Sequence, residues 1–435
     1  MATIEGEWLP PHGAACLPSL TSKPEVRCLT VLLFLQGLIP YRSVPRVLNI
    51  VYNHTALPAG WCPDSTSITN WVLSVGLGLL NDVHPIDDPW IVIIDHSIGK
   101  GTQKVFVVLR IRLSILLQLG KAPGLEDCEC IGIVMGNKIN GDIVAADLER
   151  VFEKSGNPMC VVKDRDATLN CGTMRWCQKQ NESICIVDDI GHVVATCLKA
   201  EFKEDEEYKQ FCTLMGKGNA FMRQSEIAYH CAPRIRTKAR FQNLSEQAEW
   251  AQKILQKLQN EDITQENSVA QKLHQALPGF VELDNFIGRF LGTIKVGDRL
   301  MKVLKNKGLT HSTGQECYRL SEALPEHSKT RAGLENWLDK HMKLLKHIGE
   351  IPLLVSSDPI ESIFGKSKYI LERSPQGDMN RSVLLIPTLC GKLSAEKIMR
   401  LLTEVRHIDL KKWVKKNVLM TLLQKKLADA TLKTG

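Results

Sequence analysis

Three carboxylates stand where an apolar run gives out. Asp95 closes the run Trp90 to Ile94 (WIVIID), Asp164 follows CVVK at 160–163, and Glu361 comes shortly after IPLLVSS at 351–357. A carboxylate at the end of a buried strand loses its hydration, so it must be paired or must hold a cation. The cation such ligands suit is hard and divalent, because Mg2+ takes carboxylates and waters. Each residue also has a plainer reading. A strand-end Asp can be a turn or cap residue, Asp166 competes with Asp164 and could cap the next helix, and Glu361 could serve only the dipole of its own helix. Asp188 and Asp189 form a further pair, either ligands or caps. His96 is read as standing behind Asp95 rather than as a base.

Bringing these residues together requires a particular order of elements. Two apolar runs, Trp90–Ile94 and Val105–Ile111, flank Gly99, Lys100 and Gly101, which predicts a β-hairpin. CECIGIVMG (128–136) is a third strand, and GDIVAADLERVFEKSG (141–156) an amphipathic helix with a glycine stop. NPMCVVKDRDATL (157–169) is a strand running into Asp164, DATLNCGTMRWCQKQ a helix, and SICIVDDIGH (183–192) another strand. Three meandering strands followed by strand–helix units predict a mixed sheet with helices on its faces. From about Lys199 to Ile348 the strand signals stop, and patterns such as NLSEQAEWAQKILQKLQ (243–259) and LENWLDKHMKLLKHIG (334–349) predict an inserted helical domain. Trp250 and Trp337 lie at helical core spacing and are read as packing residues. IPLLVSS returns as a strand, and DPIESIFGKSKYILE (358–372) as a helix with Asp358 at its N-cap.

Ahead of the sheet, residues 1–24 read as a loose leader, followed by three helical patterns. The third opens with Asp64 or Ser65 as cap, presents Ser65, Ser67 and Asn70, and continues with Trp71, Val72 and Val75. That is how a helix-turn-helix reads, beside the simpler alternative of a helical bundle. The division that results is 1–82 N-terminal helical, 85–200 first part of an α/β core, 201–349 helical insertion, 350–390 second part of the core, and 391–435 basic C-terminal helices.

The 435 residues, 44% hydrophobic and 24% charged, describe a globular protein of two to four domains. No stretch is long and apolar enough to span a membrane, and the first residues, without a charged segment followed by an apolar one, do not read as a secretion signal. The 14 cysteines include no CxxC pair; Cys128 and Cys130 share a strand face without a second pair, so reduced core thiols and a reducing compartment are expected. Net charge is +7, and the segment 392–435 alone carries 11 Lys/Arg against 4 Asp/Glu. APRIRTKARF (232–241) alternates Arg234, Arg236, Lys238 and Arg240, which suits either an extended segment along a phosphate backbone or a solvated linker. Lys411, Lys412, Lys415, Lys416, Lys425 and Lys426 cluster near the end, for phosphate contact or for solubility.

An aspartate ending the first strand, another ending the fourth and a glutamate on a helix after an insertion resemble the pattern of RNase H-like DDE transposases of bacterial insertion sequences. Glu361 and Lys368 make E-x6-K, similar to the insertion-sequence signature in which the Lys contacts DNA near the scissile phosphate. The Arg and Tyr of that signature fall on Ser357 and Leu354 and do not match. Asp189-x2-His192 looks like the [C/D]-x2-H found after the second Asp in several transposase groups. The resemblance covers about residues 25–385.

It implies an α/β fold: an RNase H-like mixed sheet with an inserted all-α domain and an N-terminal helix-turn-helix. Two Mg2+ ions roughly 3.5–4 Å apart, with Mn2+ able to substitute, would be bridged by Asp95 and held by Asp164 and Glu361, with Asp189 and His192 behind them. The implied activity is cleavage of element ends and transfer of 3′-OH ends into target DNA. The implied partner is double-stranded DNA, bound by a homodimer or higher oligomer in the cytoplasm, at the bacterial nucleoid. Two other readings stand beside it: an RNase H-like structure-specific nuclease, and a domesticated, non-catalytic DNA-binding regulator. The large insertion and E-x6-K favour transposition over the first, and the intact triad speaks against the second.

Overall fold

The computed structural model describes residues 23–54, 61–98, 104–136, 139–180, 184–234, 241, 244–260, 268–349, 351–372 and 380–418. Three helices come first: α1 (Lys23–Leu35), α2 (Val44–His54) and α3 (Ser65–Asn81). Strands β1 (Trp90–Ile98) and β2 (Lys104–Arg112) follow, then a short helix α4 (Leu113–Leu119) absent from the sequence pattern, and β3 (Glu129–Gly136). Helix and strand then alternate through α5 (Gly141–Ser155), β4 (Cys160–Lys163), α6 (Ala167–Cys177), β5 (Cys185–Asp188) and α7 (Ile190–Phe202). The next stretch carries α8 (Glu206–Met222), α9 (Ser245–Asn260), α10 (Val269–Ala276), α11 (Asp284–Lys307), α12 (His311–Ser321) and α13 (Lys329–Ile348). Last come α14 (Asp358–Glu372), α15 (Leu385–Thr388), α16 (Ala395–Glu404) and α17 (His407–Asn417). The protein is mostly helical around one five-stranded mixed sheet. Among the described residues no helix is long and apolar enough to cross a membrane.

The sheet runs in the order β3-β2-β1-β4-β5. β1 is antiparallel to β2 and parallel to β4; β2 and β3 are antiparallel, β4 and β5 parallel. The hairpin turn predicted at Gly99–Gly101 lies outside the described residues. Because helices cover both faces, β1 and β2 are continuous apolar runs rather than alternating ones. Ile91, Ile93, Cys160, Val162 and Val187 face one core, shared with Val193, Val194, Trp337, Leu338, Ile360 and Ile363. Val92, Ile94 and Val161 face the other, against Val144, Leu148, Phe152, Leu169 and Trp176 of α5 and α6. Each buried Val, Leu or Ile contributes about 1.5–3 kcal/mol through burial.

IPLLVSS does not join the sheet as predicted. Among the described residues it makes one isolated bridge, Leu309 to Leu353, and its Val355 carbonyl accepts from Ile190 N at 2.9 Å. Its apolar residues are buried under helices instead: Leu353, Leu354 and Val355 are nearly inaccessible. An apolar run reports burial, not pairing, and here the backbone bonds go to the start of α7 and to the end of α11.

The helix-turn-helix expectation meets a different environment. Asp64 caps α3 through Thr66 N and Ser67 N, as the sequence suggests. Beyond its first turns, however, α3 is enclosed by helices from the far end of the chain. Val72 and Val75 pack with Leu385, Ile398 and Leu401, while Leu73 and Leu77 pack with Leu384, Val405 and Leu410. Gly76 allows the closest approach, since a Cβ there would collide with the Leu384 carbonyl oxygen. On α1, Cys28 Sγ donates to Ala395 O at 3.5 Å. The first three helices and α15 to α17 thus form one bundle, and the open part of α3 is its N-terminal end.

Candidate functional site

Asp95 and Asp164 meet through strand register. The parallel pair β1/β4 ends with Ile94 opposite Lys163, so the next residues, Asp95 and Asp164, are neighbours on strands about 4.8 Å apart. Strand alternation puts both on the face of Ile93 and Val162, the face that α14 also covers. Asp95 keeps only 19% of its side chain exposed. Its carboxyl is pushed up to about 7, first by burial, then by the Asp164 carboxylate and, less strongly, by Glu361; His96 N–H, at 2.6 Å, and His192 pull the other way. The competitor Asp166 is committed elsewhere: it caps α6 through Thr168 N at 2.8 Å and Leu169 N at 3.2 Å. Asp164 Oδ1 accepts from Asp166 N at 2.8 Å, which fixes the turn between strand and helix. His96 points to the opposite face; burial lowers its pKa, and Nδ1 sits 4.0 Å from Asp95 Oδ1 without a hydrogen bond.

Glu361 arrives on the first turn of α14, half exposed, with Oε1 3.0 Å from His192 Nε2. That contact, and the nearby Asp189 and Asp164, raise the His192 pKa to about 9 against the effect of burial. Lys368 is exposed on the same helix seven residues on, about two turns or roughly 10 Å away on the same face. Asp189 caps α7 through His192 N at 2.7 Å, and its other oxygen accepts Ser357 N at 2.6 Å and Ser357 Oγ at 3.0 Å. Asp358 is the first residue of α14 rather than its cap, and both its oxygens lie 2.7 Å from Lys305 Nζ of α11.

Asp188 has a separate fate. Lys163 and Lys340 sit 2.9 and 2.8 Å from its two oxygens. Burial pushes its carboxyl upward, but the two ammonium groups win and hold it at about 2. Trp337 Nε1 donates to Asp188 O at 3.1 Å, and Asp188 N donates to His341 Nε2 at 3.1 Å. With Nε2 accepting and Nδ1 donating to Trp337 O at 2.7 Å, His341 is neutral, and burial lowers its pKa to about 4. This clamp between α13 and the sheet was not foreseen. A lysine inside the apolar strand CVVKD was the only local signal for it, since Lys340, Trp337, Lys305 and Ser357 meet their partners only in the fold.

Of the residues expected to touch DNA, those that are described lie on separate elements. Arg234 is exposed; Arg236, Lys238 and Arg240 lie outside the described residues, as do Lys425 and Lys426. Lys411, Lys412, Lys415 and Lys416 are exposed on α17. Ser65, Ser67 and Asn70 are half-buried: Ser67 Oγ donates to Asp64 at 2.8 Å, and Asn70 Oδ1 accepts from Arg381 at 2.8 Å. Trp250 and Trp337 pack, each with its indole N–H on a carbonyl oxygen.

Among the described residues no three His, Cys, Asp or Glu side chains are closed into a metal-ligating group. Asp95, Asp164 and Glu361 nevertheless fit a hard divalent cation in donor type. Their mutual repulsion on a poorly solvated Asp95 is the condition that a cation relieves.

No protein-family model matches the chain, and no curated protein matches it in sequence. Among solved structures it is similar to the Drosophila P element transposase strand transfer complex, at 12% identity and a TM-score of 0.44, over 85% of this chain and 92% of that one.

Proposed function

We propose that this protein is a DDE-type DNA transposase of the insertion-sequence kind, cutting element ends with Mg2+ and joining their 3′-OH ends to target DNA. The observation that carries the reading is that Asp95 and Asp164 follow the paired ends of two neighbouring parallel strands, on the sheet face covered by the helix that bears Glu361. The strand order supports an RNase H-like core, because it sets the first and fourth strands side by side. Asp95, Asp164 and Glu361 would hold the Mg2+ ions. Bound there, Mg2+ or Mn2+ supplies charge neutralisation at the scissile phosphate and a deprotonated oxygen nucleophile. Asp95, at 19% exposure, would be the better desolvated of these ligands and Glu361, at 48%, the more open one. Asp189 and His192 stand behind the ligands.

Lys368 would take a phosphate of the same strand. The basic run Arg234, Arg236, Lys238 and Arg240, the lysines of α17 and the first turn of α3 with Ser65, Ser67 and Asn70 are the proposed contacts to duplex DNA. Paired element ends imply a dimer or higher assembly. The test is strand cleavage of DNA carrying the flanking element ends, with Mg2+ or Mn2+, comparing wild type with Glu361→Gln. Metal-dependent nicking lost in the variant, with DNA binding kept, is the expected result. Binding without cleavage in either protein would replace this reading with a DNA-binding regulator.

A further inference from the structure

Glu361 reaches the sheet after a long helical insertion, on a segment that lacks sheet pairing. Something other than a strand ladder must therefore set where α14 begins. Ser357 is the residue on which its first turn is wound: Ser357 O accepts from Ile360 N at 2.9 Å and from Glu361 N at 3.3 Å. Ser357 in turn gives both its donors to one oxygen of Asp189, N at 2.6 Å and Oγ at 3.0 Å. The other oxygen of Asp189 accepts His192 N at 2.7 Å, and His192 Nε2 lies 3.0 Å from the Glu361 carboxylate. Asp189 and Ser357 are each 2% exposed.

The choice of residue is informative. An ordinary helix cap at α7 needs one acceptor, which Ser, Thr or Asn supplies at no charge-burial cost. Here three donors converge from two directions, and only a carboxylate presents two acceptor oxygens to meet them. Asn at this position would accept at one oxygen and turn an NH2 group toward the Ser357 N–H or the His192 N–H.

We propose that Asp189 is a positioning residue for Glu361, fixing the start of α14 through Ser357 and the Glu361 side chain through His192. The inference rests on the metal-dependent reading of the site, with Glu361 as a ligand. Lys305, bound to Asp358, braces the same turn from α11 on the more exposed side.

The test compares wild type, Asp189→Asn and Ser357→Ala by three measurements: hydrogen exchange resolved by segment, Mn2+ binding followed by electron paramagnetic resonance, and DNA binding by anisotropy. In Asp189→Asn, exchange over 351–364 is expected to rise at least tenfold while α5 and α6 stay protected. Mn2+ affinity should fall at least tenfold with DNA affinity unchanged. Ser357→Ala, which removes one bond of three, should show the same pattern more weakly. Unchanged exchange over 351–364 overturns the proposal. So does a uniform rise across the sheet in both variants, because that is loss of fold rather than of position. If the wild type binds no Mn2+ and cuts no DNA, the functional reading fails, and the exchange pattern alone still decides whether Asp189 sets α14.

Discussion

Replacing Asp95 by Asn should remove activity and stabilise the protein, and the gain should depend on pH. Asp95 carries an ordinary carboxyl value of 3.8 up to about 7, driven by burial and then by Asp164. The folded protein therefore keeps a proton that the unfolded chain releases between about pH 4 and pH 7. Its stability falls as pH rises through that window and is lowest above it. At about 1.4 kcal/mol per unit, the whole shift corresponds to about 4 kcal/mol, an upper bound because part of the side chain still reaches water. Asn has no charge to bury. In equilibrium urea unfolding without divalent ions, Asp95→Asn should exceed wild type by about 1.5 kcal/mol at pH 5 and by up to about 4 kcal/mol at pH 8. Excess Mg2+ at pH 8 should close the gap by stabilising wild type alone. An Asp95→Asn protein less stable than wild type at pH 8, or a gap that does not change between pH 5 and pH 8, would refute the reasoning.

Lys163→Met strands Asp188 beside one remaining, largely exposed ammonium group, and should cost about 3 kcal/mol in the same unfolding experiment. Lys340→Met, whose side chain is 59% exposed, should cost under about 1 kcal/mol. Gly76→Ala forces α3 away from the Leu384 carbonyl and should lower stability by about 2 kcal/mol or more, with exchange rising first in α3, α15 and α16.

The strand-end placement of Asp95 and Asp164 was legible because a carboxylate at the end of WIVII or CVVK has to be paired, protonated or bound to a cation. A mixed sheet with helices on its faces followed from the same runs together with the helices between them; the order of its strands is seen only in the structure. IPLLVSS misled because β-branched and apolar residues signal burial whichever neighbour covers them. The polar first turn of α3 was read correctly as a capped helix start, yet the helices that enclose the rest of it belong to residues 380–418. From the residues alone Asp188 and Asp189 read as one pair, ligands or caps, and only the family resemblance singled out Asp189. What separates them is a pair of lysines on one side and a serine on the other, all brought in by the fold.

The shared bundle of first and last helices has a consequence for how the chain is made. Val72, Val75, Leu73 and Leu77 lack much of their cover until Leu384, Leu385, Ile398, Leu401 and Leu410 arrive. With roughly 300 residues between the two groups and translation at about 5–20 residues per second, that face waits on the order of 15–60 s on the ribosome. During this interval the nascent helices are a ready client for a chaperone. A ribosome stalled inside the insertion would present them, unburied, to any protease able to reach them.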